Sequence, residues 1–280
     1  MGAWQKFSRA CERASFRLGL TLSPRRQAAI PAKIFFVHVP KCAGSSLNGY
    51  LKTYLGSATS GDSVFFNDIF TAQEMLPIGR KKIEAAKTAR VVSGHYSWAV
   101  IDKINPADDA FMATVLRDPV SRLMSLYNYT TGMPKGRLKT QIDGLHGMDA
   151  NDFFTSEDPR IRHALDNYVT RQFAGRFDVM GDEVAELVTL AAERVQALDF
   201  VGFVEEFDKD FPQLASRLGL PLPKAAPKVN LSRPLLDDAG RTATAFDRLG
   251  KAAQDAIRRY VRFDQIIYDR ALADRAAQPA

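Results

Sequence analysis

Short apolar runs alternate along this chain with segments in which apolar residues recur at helical spacing. The apolar runs are typical of buried strands and cover residues 33–39, 90–93, 111–116 and 199–203. The helical spacing predicts helices over residues 45–55, 119–130, 161–173, 183–197 and 244–273. Strands that alternate with helices predict an α/β fold, with a parallel sheet covered by helices on both faces. At 280 residues and 46% hydrophobic composition, the chain is long enough for a single domain with a well-buried core.

A turn of small residues follows the first apolar run, which Pro40 ends. The turn lies between a predicted strand and a predicted helix, so its amides would point toward an anion at the positive end of that helix. Its residues form a candidate phosphate cradle: Lys41, Cys42, Ala43, Gly44, Ser45 and Ser46. In the Walker A loop, Gly-x-x-x-x-Gly-Lys-Ser/Thr, the lysine follows the last glycine, whereas Lys41 precedes Gly44. This order disfavours an ordinary ATPase or kinase loop and favours a P-loop-like fold with a different lysine position.

A second candidate phosphate contact follows the third predicted strand. Arg117 comes at the end of that strand, and Ser125 lies two helical turns into the next helix. Both side chains can face one phosphate, and arginine can make the bidentate contact that lysine cannot. Ligands of parallel sheets bind beyond the carboxyl ends of the strands, where Lys41 and Arg117 both fall.

Two further polar residues belong to the start of that helix. Asp118 is predicted to be its N-cap, because Pro119 takes the preferred first helical position. For Arg122 two interpretations stay open, a phosphate ligand and an exposed helical arginine.

Among the histidines, His95 is the candidate catalytic base. It follows the second predicted strand, and a neutral imidazole can accept a proton from a hydroxyl group. A histidine in this position is, taken alone, more often structural. His38 lies inside the first strand and is interpreted as structural or as a minor phosphate contact, while His146 and His163 have no motif around them.

Five blocks, in order, resemble the carbohydrate sulfotransferases that use 3′-phosphoadenosine-5′-phosphosulfate (PAPS) as donor. Residues 33–47, with Val-Pro-Lys-Cys-Ala-Gly-Ser-Ser, resemble the family's 5′-phosphosulfate loop, and residues 114–129, with Arg-Asp-Pro, resemble its 3′-phosphate motif. The Gly-His segment at 91–98 resembles the 2-O-sulfotransferase branch, whose later blocks resemble residues 167–175 and 201–207. The ordered set predicts a sulfotransferase domain over residues 33–280, preceded by a basic extension over residues 1–32.

The resemblance implies roles for individual residues. Lys41 would contact the bridging oxygen or the 5′-phosphate of PAPS, and Arg117 with Ser125 would bind the 3′-phosphate. His95 would take the proton of the acceptor hydroxyl. Relatives often carry threonine where this chain has Cys42, which removes a hydroxyl contact and keeps the backbone amide. A late loop that closes over the donor resembles a proline-rich segment with three polar residues, Asn230, Ser232 and Arg233.

Candidate acceptor contacts carry less specific signals. Tyr96 and Trp98 could stack on a sugar ring, although aromatic residues after a strand are more often in the core. Asn167 and Arg171 lie one helical turn apart and could touch acceptor or donor, or form a structural arginine network. Other sulfotransferase branches use a glutamate base, for which Glu74 is a candidate without a motif around it.

The net charge bears on the ligand class, and the cysteine content bears on disulfides and metal sites. The net charge of +6 fits an anionic ligand, such as a bisphosphorylated nucleotide or an acidic glycan, and equally a solvated basic surface. The basic residues are scattered and no nucleic-acid module appears, so nucleic acid is not predicted as a partner. The two cysteines are too few for a disulfide framework and lack metal-ligand spacing, and sulfuryl transfer demands no metal.

Animal members of the resembled family are Golgi proteins with a membrane anchor, whereas this chain contains no apolar stretch long enough to span a bilayer. The resemblance therefore implies a cytoplasmic enzyme of bacterial type. Within the first 32 residues, apolar side chains fall near helical spacing between basic ones. This pattern leaves membrane-surface docking open, beside a frayed tail or a helix packed on the domain. Residues 131–149 are predicted to form a long surface loop that could reach over an acceptor.

Together these features predict transfer of a sulfuryl group from PAPS to a hydroxyl of a saccharide or glycoconjugate, by in-line displacement with a histidine base. Two alternatives stay open, an ATP-dependent small-molecule kinase of P-loop-like fold and a non-catalytic nucleotide-binding module. The missing Walker A lysine and magnesium-binding aspartate disfavour the kinase. The presence of Lys41, Arg117, Ser125 and His95 together disfavours the non-catalytic module.

Overall fold

A computed structural model describes residues 30–55, 63–66, 77–104, 109–131, 145, 147–222 and 244–277. Within these residues the strands are β1 (Ile34–Val37), β2 (Ser63–Phe66), β3 (Val91–Gly94), β4 (Phe111–Leu116) and β5 (Phe200–Phe203). The helices are α1 (Gly44–Leu55), α2 (Pro77–Thr88), α3 (Trp98–Ile104), α4 (Pro119–Thr131), α5 (Ala150–Thr155), α6 (Pro159–Leu165), α7 (Tyr168–Ala174), α8 (Val188–Gln196), α9 (Phe207–Arg217) and α10 (Lys251–Ala277). Short 3₁₀ turns cover Gly181–Leu187, Val204–Glu206 and Phe246–Arg248.

The described strands form one parallel sheet in the order β2-β3-β1-β4-β5. Strand β1 is central and buried along its whole length, as its continuous apolar run predicts. Because β3 and β4 flank it in parallel, the carboxyl ends of these three strands meet at one edge of the sheet. The predicted α/β fold with a parallel sheet is therefore confirmed.

Helices cover both faces of the sheet. Phe35 and Val37 point into one core, which includes residues of α2, α3, α7 and α8. Ile34 and Phe36 point into the other, against α1 and α9. A third apolar cluster joins α4, α5, α6 and α10 beside the sheet.

The helix predicted over residues 161–173 is two helices, and the prediction of one was wrong. The chain breaks at Asn167, whose φ of 40° and ψ of 47° lie in the left-handed region that asparagine tolerates better than most residues. The break is stabilised from outside, because Asn167 Oδ1 accepts a hydrogen bond from the Phe263 amide of α10. Apolar periodicity continued across the break, so the pattern carried no sign of it.

Other boundaries also differ from those predicted. The segment predicted as a helix from residue 183 begins as the Gly181–Leu187 3₁₀ turn, and the last helix begins at Lys251 rather than at residue 244. Strand β2 and helices α2, α3, α5 and α9 were not predicted. Of these, β2, α3 and α5 are short, with four, seven and six residues.

Candidate active site

The loop after β1 has a strained backbone. Lys41 has φ 70° and Ala43 has φ 56°, which place two non-glycine residues in the left-handed region. Such conformations cost on the order of 1–3 kcal/mol each and are concentrated at functional sites. The turn is closed by the Cys42 amide, which donates to the Val39 carbonyl at 3.2 Å. Helix α1 then starts at Gly44, so the first amides of the helix face the end of the sheet.

The side chain of His38 leaves no room for a side chain at Gly44. A Cβ at this position would lie 1.8 Å from Cδ2 of His38 and 1.9 Å from Nε2 of the same ring. The imidazole of His38 therefore packs directly on the Gly44 backbone. His38 is buried, which supports the structural interpretation of this residue.

Lys41 extends from the loop toward helix α4. Its Nζ lies 3.5 Å from the centroid of the Tyr129 ring, a cation–π contact. Burial lowers the pKa of the Lys41 ammonium to about 8, and the positive charge of Arg117 contributes to the shift. A bound anion would oppose the shift in the pKa, because its negative charge stabilises the protonated lysine and compensates the charge of Arg117.

Arg117 leaves the end of β4 beside the same loop. Its Nη1 donates to the Lys41 carbonyl at 3.4 Å. Its Nε is buried, and no acceptor within the described part of the chain reaches it. An unsatisfied guanidinium nitrogen next to a desolvated lysine fits a phosphate ligand, since a phosphate supplies both acceptors and negative charge.

Ser125 lies on the side of α4 that faces the loop. It precedes Tyr129 by four residues, so the two share a helical face, and Tyr129 contacts Lys41. Arg117, Ser125 and Lys41 therefore border the same region. Joint binding of one phosphate by Arg117 and Ser125 stays a prediction.

Asp118 and Arg122 have structural contacts at the start of α4. Asp118 Oδ1 accepts from the Ser121 amide at 2.8 Å, which confirms the predicted cap. Arg122 is fully buried, so the interpretation as an exposed arginine was wrong. Its Nη2 lies 3.5 Å from Asp264 Oδ2 of α10, and that carboxylate also accepts hydrogen bonds from Thr170 of α7. This ion pair links α4 to α10, but the guanidinium nitrogens of Arg122 have no hydrogen-bond partner within the described residues, so the interpretation as a phosphate ligand stays open.

His95 follows β3 with a defined tautomer. Its Nδ1 lies 3.0 Å from the His38 carbonyl oxygen. A carbonyl can only accept, so Nδ1 carries the hydrogen, and Nε2 is the acceptor nitrogen of the neutral ring. The His95 amide donates to the Phe66 carbonyl at 2.9 Å, which fixes the backbone on the other side. The half-buried ring therefore presents an acceptor nitrogen, as a general base requires.

The sheet edge around His95 is tightly packed. Gly94 has φ 142°, and a Cβ there would lie 2.1 Å from the Phe66 carbonyl oxygen. The Ser93 hydroxyl donates to Asn48 Oδ1, which ties β3 to helix α1. The base and the anion loop are thus joined through both backbone and side chains.

Gln172 is a site residue that sequence reasoning missed. Its Nε2 donates to the Tyr96 carbonyl at 2.9 Å and to the His38 carbonyl at 3.3 Å, so it bridges the two backbone segments that hold His95. Gln172 is fully buried, and it follows the buried Val169 of α7 by three residues, which puts both on one face of the helix. A glutamine at an apolar helical position was the one available signal.

The predicted acceptor residues after β3 lie in the core. Tyr96 has 0% exposure, and its hydroxyl donates to the Val92 carbonyl at 3.3 Å. Trp98 is half-buried, with Phe173 at 6.1 Å and the Arg194 guanidinium at 5.2 Å from its ring. These contacts favour the structural alternative for both aromatic residues.

Asn167 and Arg171 also form internal contacts. The Arg171 guanidinium donates to the carbonyl oxygens of His163, Asp166 and Phe177 at 2.6–3.0 Å. Asn167 Nδ2 donates to Asp166 Oδ1 at 2.8 Å. Of the two alternatives, the structural arginine network is the one these contacts favour, and His163 belongs to it through its Nδ1, 3.0 Å from Arg171 Nη2.

Several predicted residues lie outside the described part of the chain: Asn230, Ser232, Arg233, Glu74 and His146, together with residues 1–29 and most of 131–149. Within the described residues, no three His, Cys, Asp or Glu side chains cluster as metal ligands. No helix among those residues combines the length and apolar character needed to cross a membrane.

The fold is that of a P-loop-like α/β protein, with a candidate anion loop beside a histidine. A sequence model described as the Sulfotransferase family matches residues 31–269, so the chain belongs to that family. Among solved structures, it is similar to a sulfotransferase from Alicyclobacillus acidocaldarius, with 16% identity over 75% of this chain and 89% of that chain and a TM-score of 0.40. No curated protein matches the chain.

Proposed function

We propose that this sulfotransferase moves a sulfuryl group from PAPS to a hydroxyl of a saccharide or glycoconjugate, with His95 as base. The observation that carries the proposal is the convergence of Lys41, Arg117 and His95 at the ends of three adjacent strands. Lys41 is a desolvated cation, and Arg117 has a buried nitrogen without an acceptor among the described residues. His95 presents a neutral acceptor nitrogen.

The proposed roles divide the donor between two elements. Lys41 and the loop amides other than those of Cys42 and Ser46, which are bonded within the turn, bind the 5′-phosphosulfate. Lys41 stabilises the negative charge that develops on the leaving phosphate oxygen. Arg117 and Ser125 bind the 3′-phosphate. PAPS supplies the sulfuryl group, and adenosine 3′,5′-bisphosphate leaves.

The acceptor side depends on His95. Its Nε2 takes the hydroxyl proton while the acceptor oxygen forms the new bond to sulfur and the bond from sulfur to the phosphate oxygen breaks. The saccharide class follows from the resemblance of the Gly-His segment, and the basic character of the chain is compatible with an acidic glycan. Cytoplasmic location and membrane-surface contact through residues 1–32 remain part of the proposal.

Calorimetry with adenosine 3′,5′-bisphosphate, ADP and AMP, each with and without magnesium, tests the donor assignment. We expect a preference for the 3′-phosphorylated nucleotide that does not depend on magnesium. Magnesium-dependent preference for ADP would replace the proposal with a kinase. Nucleotide binding without turnover of PAPS on any glycan of a broad panel would indicate a non-catalytic module.

A further inference from the structure

Glu205 connects the start of helix α4 to the C-terminal helix. It lies in the 3₁₀ turn after β5, where its Oε1 accepts from the Asp118 amide at 3.0 Å. Its Oε2 accepts from the Tyr268 hydroxyl of α10 at 3.1 Å. Asp118 directly follows Arg117, so this carboxylate holds the peptide unit from which the Arg117 side chain departs.

The position of Glu205 is electrostatically unfavourable for an anion site. Its charge acts with burial to raise the pKa of Tyr268, and it also raises the pKa of the Cys42 thiol in the anion loop, where burial is the main cause. Within the described residues Glu205 forms no ion pair, and both of its hydrogen-bond donors are neutral. Glu205 therefore adds negative charge near the proposed anion site without neutralising a cation. Its hydrogen bonds to Asp118 and Tyr268 indicate that its role is to hold the backbone.

Two amides at the start of α4 are already occupied, and Pro119 has no N–H. Glu205 takes the Asp118 amide, and the Asp118 side chain takes the Ser121 amide. A phosphate on this side would therefore depend mainly on side chains, above all on Arg117, whose direction depends on the backbone that Glu205 holds.

We propose that Glu205 is a positioning residue that aims Arg117 at the 3′-phosphate of the donor. The inference rests on the proposed function, because it assumes a 3′-phosphorylated nucleotide. Glu205 then has two opposing effects on nucleotide binding. Its hydrogen bonds favour binding, and its charge disfavours binding.

Three substitutions separate these effects. Glu205→Ala removes the hydrogen bonds, and we expect affinity for adenosine 3′,5′-bisphosphate to fall about tenfold, as for one lost hydrogen bond, while ADP affinity should not fall, because the repelling charge is lost as well. In Glu205→Gln the amide oxygen still accepts from Asp118 and the amide group donates to the Tyr268 oxygen, so affinity should equal or exceed that of the wild type. Tyr268→Phe removes one anchor of the carboxylate and should give an intermediate loss.

Glu206→Ala is the matched control. It removes the same charge one residue away, but Glu206 pairs with Arg275 at 2.6 Å instead of contacting Asp118. Affinity for the bisphosphate should not fall in this variant. Thermal melts of all variants exclude general unfolding, and hydrogen exchange over residues 114–121 should be faster in Glu205→Ala than in Glu205→Gln, with no nucleotide present.

The outcomes are distinguishable. A wild type without preference for the 3′-phosphorylated nucleotide would overturn the proposed function and this inference with it. A wild type with that preference, retained in full by Glu205→Ala, would overturn the inference alone. Equal losses in Glu205→Ala and Glu205→Gln would also overturn it, because hydrogen-bond geometry would then not be the cause.

Discussion

The rings of His38 and His95 lie against each other, with centroids 4.0 Å apart, while the His38 carbonyl accepts the Nδ1 hydrogen of His95. Burial holds the pKa of His38 well below its usual value, and the charges of His95 and Lys41 contribute. His38 therefore stays neutral, and it fixes the tautomer and one face of its neighbour. His95 is left with a single reactive nitrogen, Nε2.

Replacement of His95 by alanine should reduce turnover by about 10² or more, the usual contribution of a positioned base. Donor binding should persist, because in the proposed function the imidazole touches the acceptor rather than the nucleotide. Wild-type turnover should decline at acidic pH as the ring takes up a proton, and the variant should lack that decline. The measurements are pH–rate profiles of both proteins and a nucleotide titration. Near-normal turnover of the variant would contradict the assignment of His95 as base and make Glu74 the next candidate. Loss of nucleotide binding would indicate a structural role for His95.

Replacement of Arg117 by alanine should weaken binding of adenosine 3′,5′-bisphosphate by about 2 kcal/mol or more, because a charge-assisted bidentate contact is lost. Binding of ADP should barely change. Arg117→Lys keeps the charge without the planar guanidinium and should fall between the two. Calorimetry of the three proteins with both ligands gives the comparison. A uniform loss for both nucleotides would mean that Arg117 supports the fold.

Replacement of Lys41 by methionine should abolish efficient transfer and yet raise the melting temperature at pH 7. The folded lysine has a pKa of about 8 against 10.5 without the protein, so at pH 7 the fold bears the cost of a desolvated charge. As pH rises from 8 toward 10.5 the folded lysine loses its proton first, and the stability gain of the variant should shrink. Melting curves at pH 7 and pH 10, with the exposed Lys209→Met as control, test the sign. A variant less stable than wild type at pH 7 contradicts it.

Gly44→Ala should destabilise the protein by about 1–3 kcal/mol, because the new methyl group overlaps the His38 ring. Removal of that ring in the double variant Gly44→Ala with His38→Ala should restore part of the loss relative to His38→Ala alone. Denaturant unfolding of the four proteins forms a double-mutant cycle. Strictly additive effects would show that the ring and the glycine do not interact.

The sequence was informative where residues follow one another along the chain. The strand, turn and helix around Lys41, and the cap at Asp118, are local patterns that periodicity and turn chemistry report. Contacts between distant segments were not readable, because burial by a remote helix leaves no local signature. The pairing of Arg122 with Asp264, the break at Asn167 and the bridge made by Gln172 all depend on such contacts.

The strand order has a consequence for how acceptor preference can change. Strands β3 and β4 are each one neighbour away from β1, so their backbones are separated by two inter-strand spacings, about 10 Å. His95, the proposed base, directly follows β3, and Arg117 directly follows β4. The sheet therefore fixes the distance between the backbones of these two residues. The segments that connect the strands can change in length or sequence without altering that distance. A change of acceptor through these segments would therefore leave the proposed arrangement of His95 and Arg117 in place.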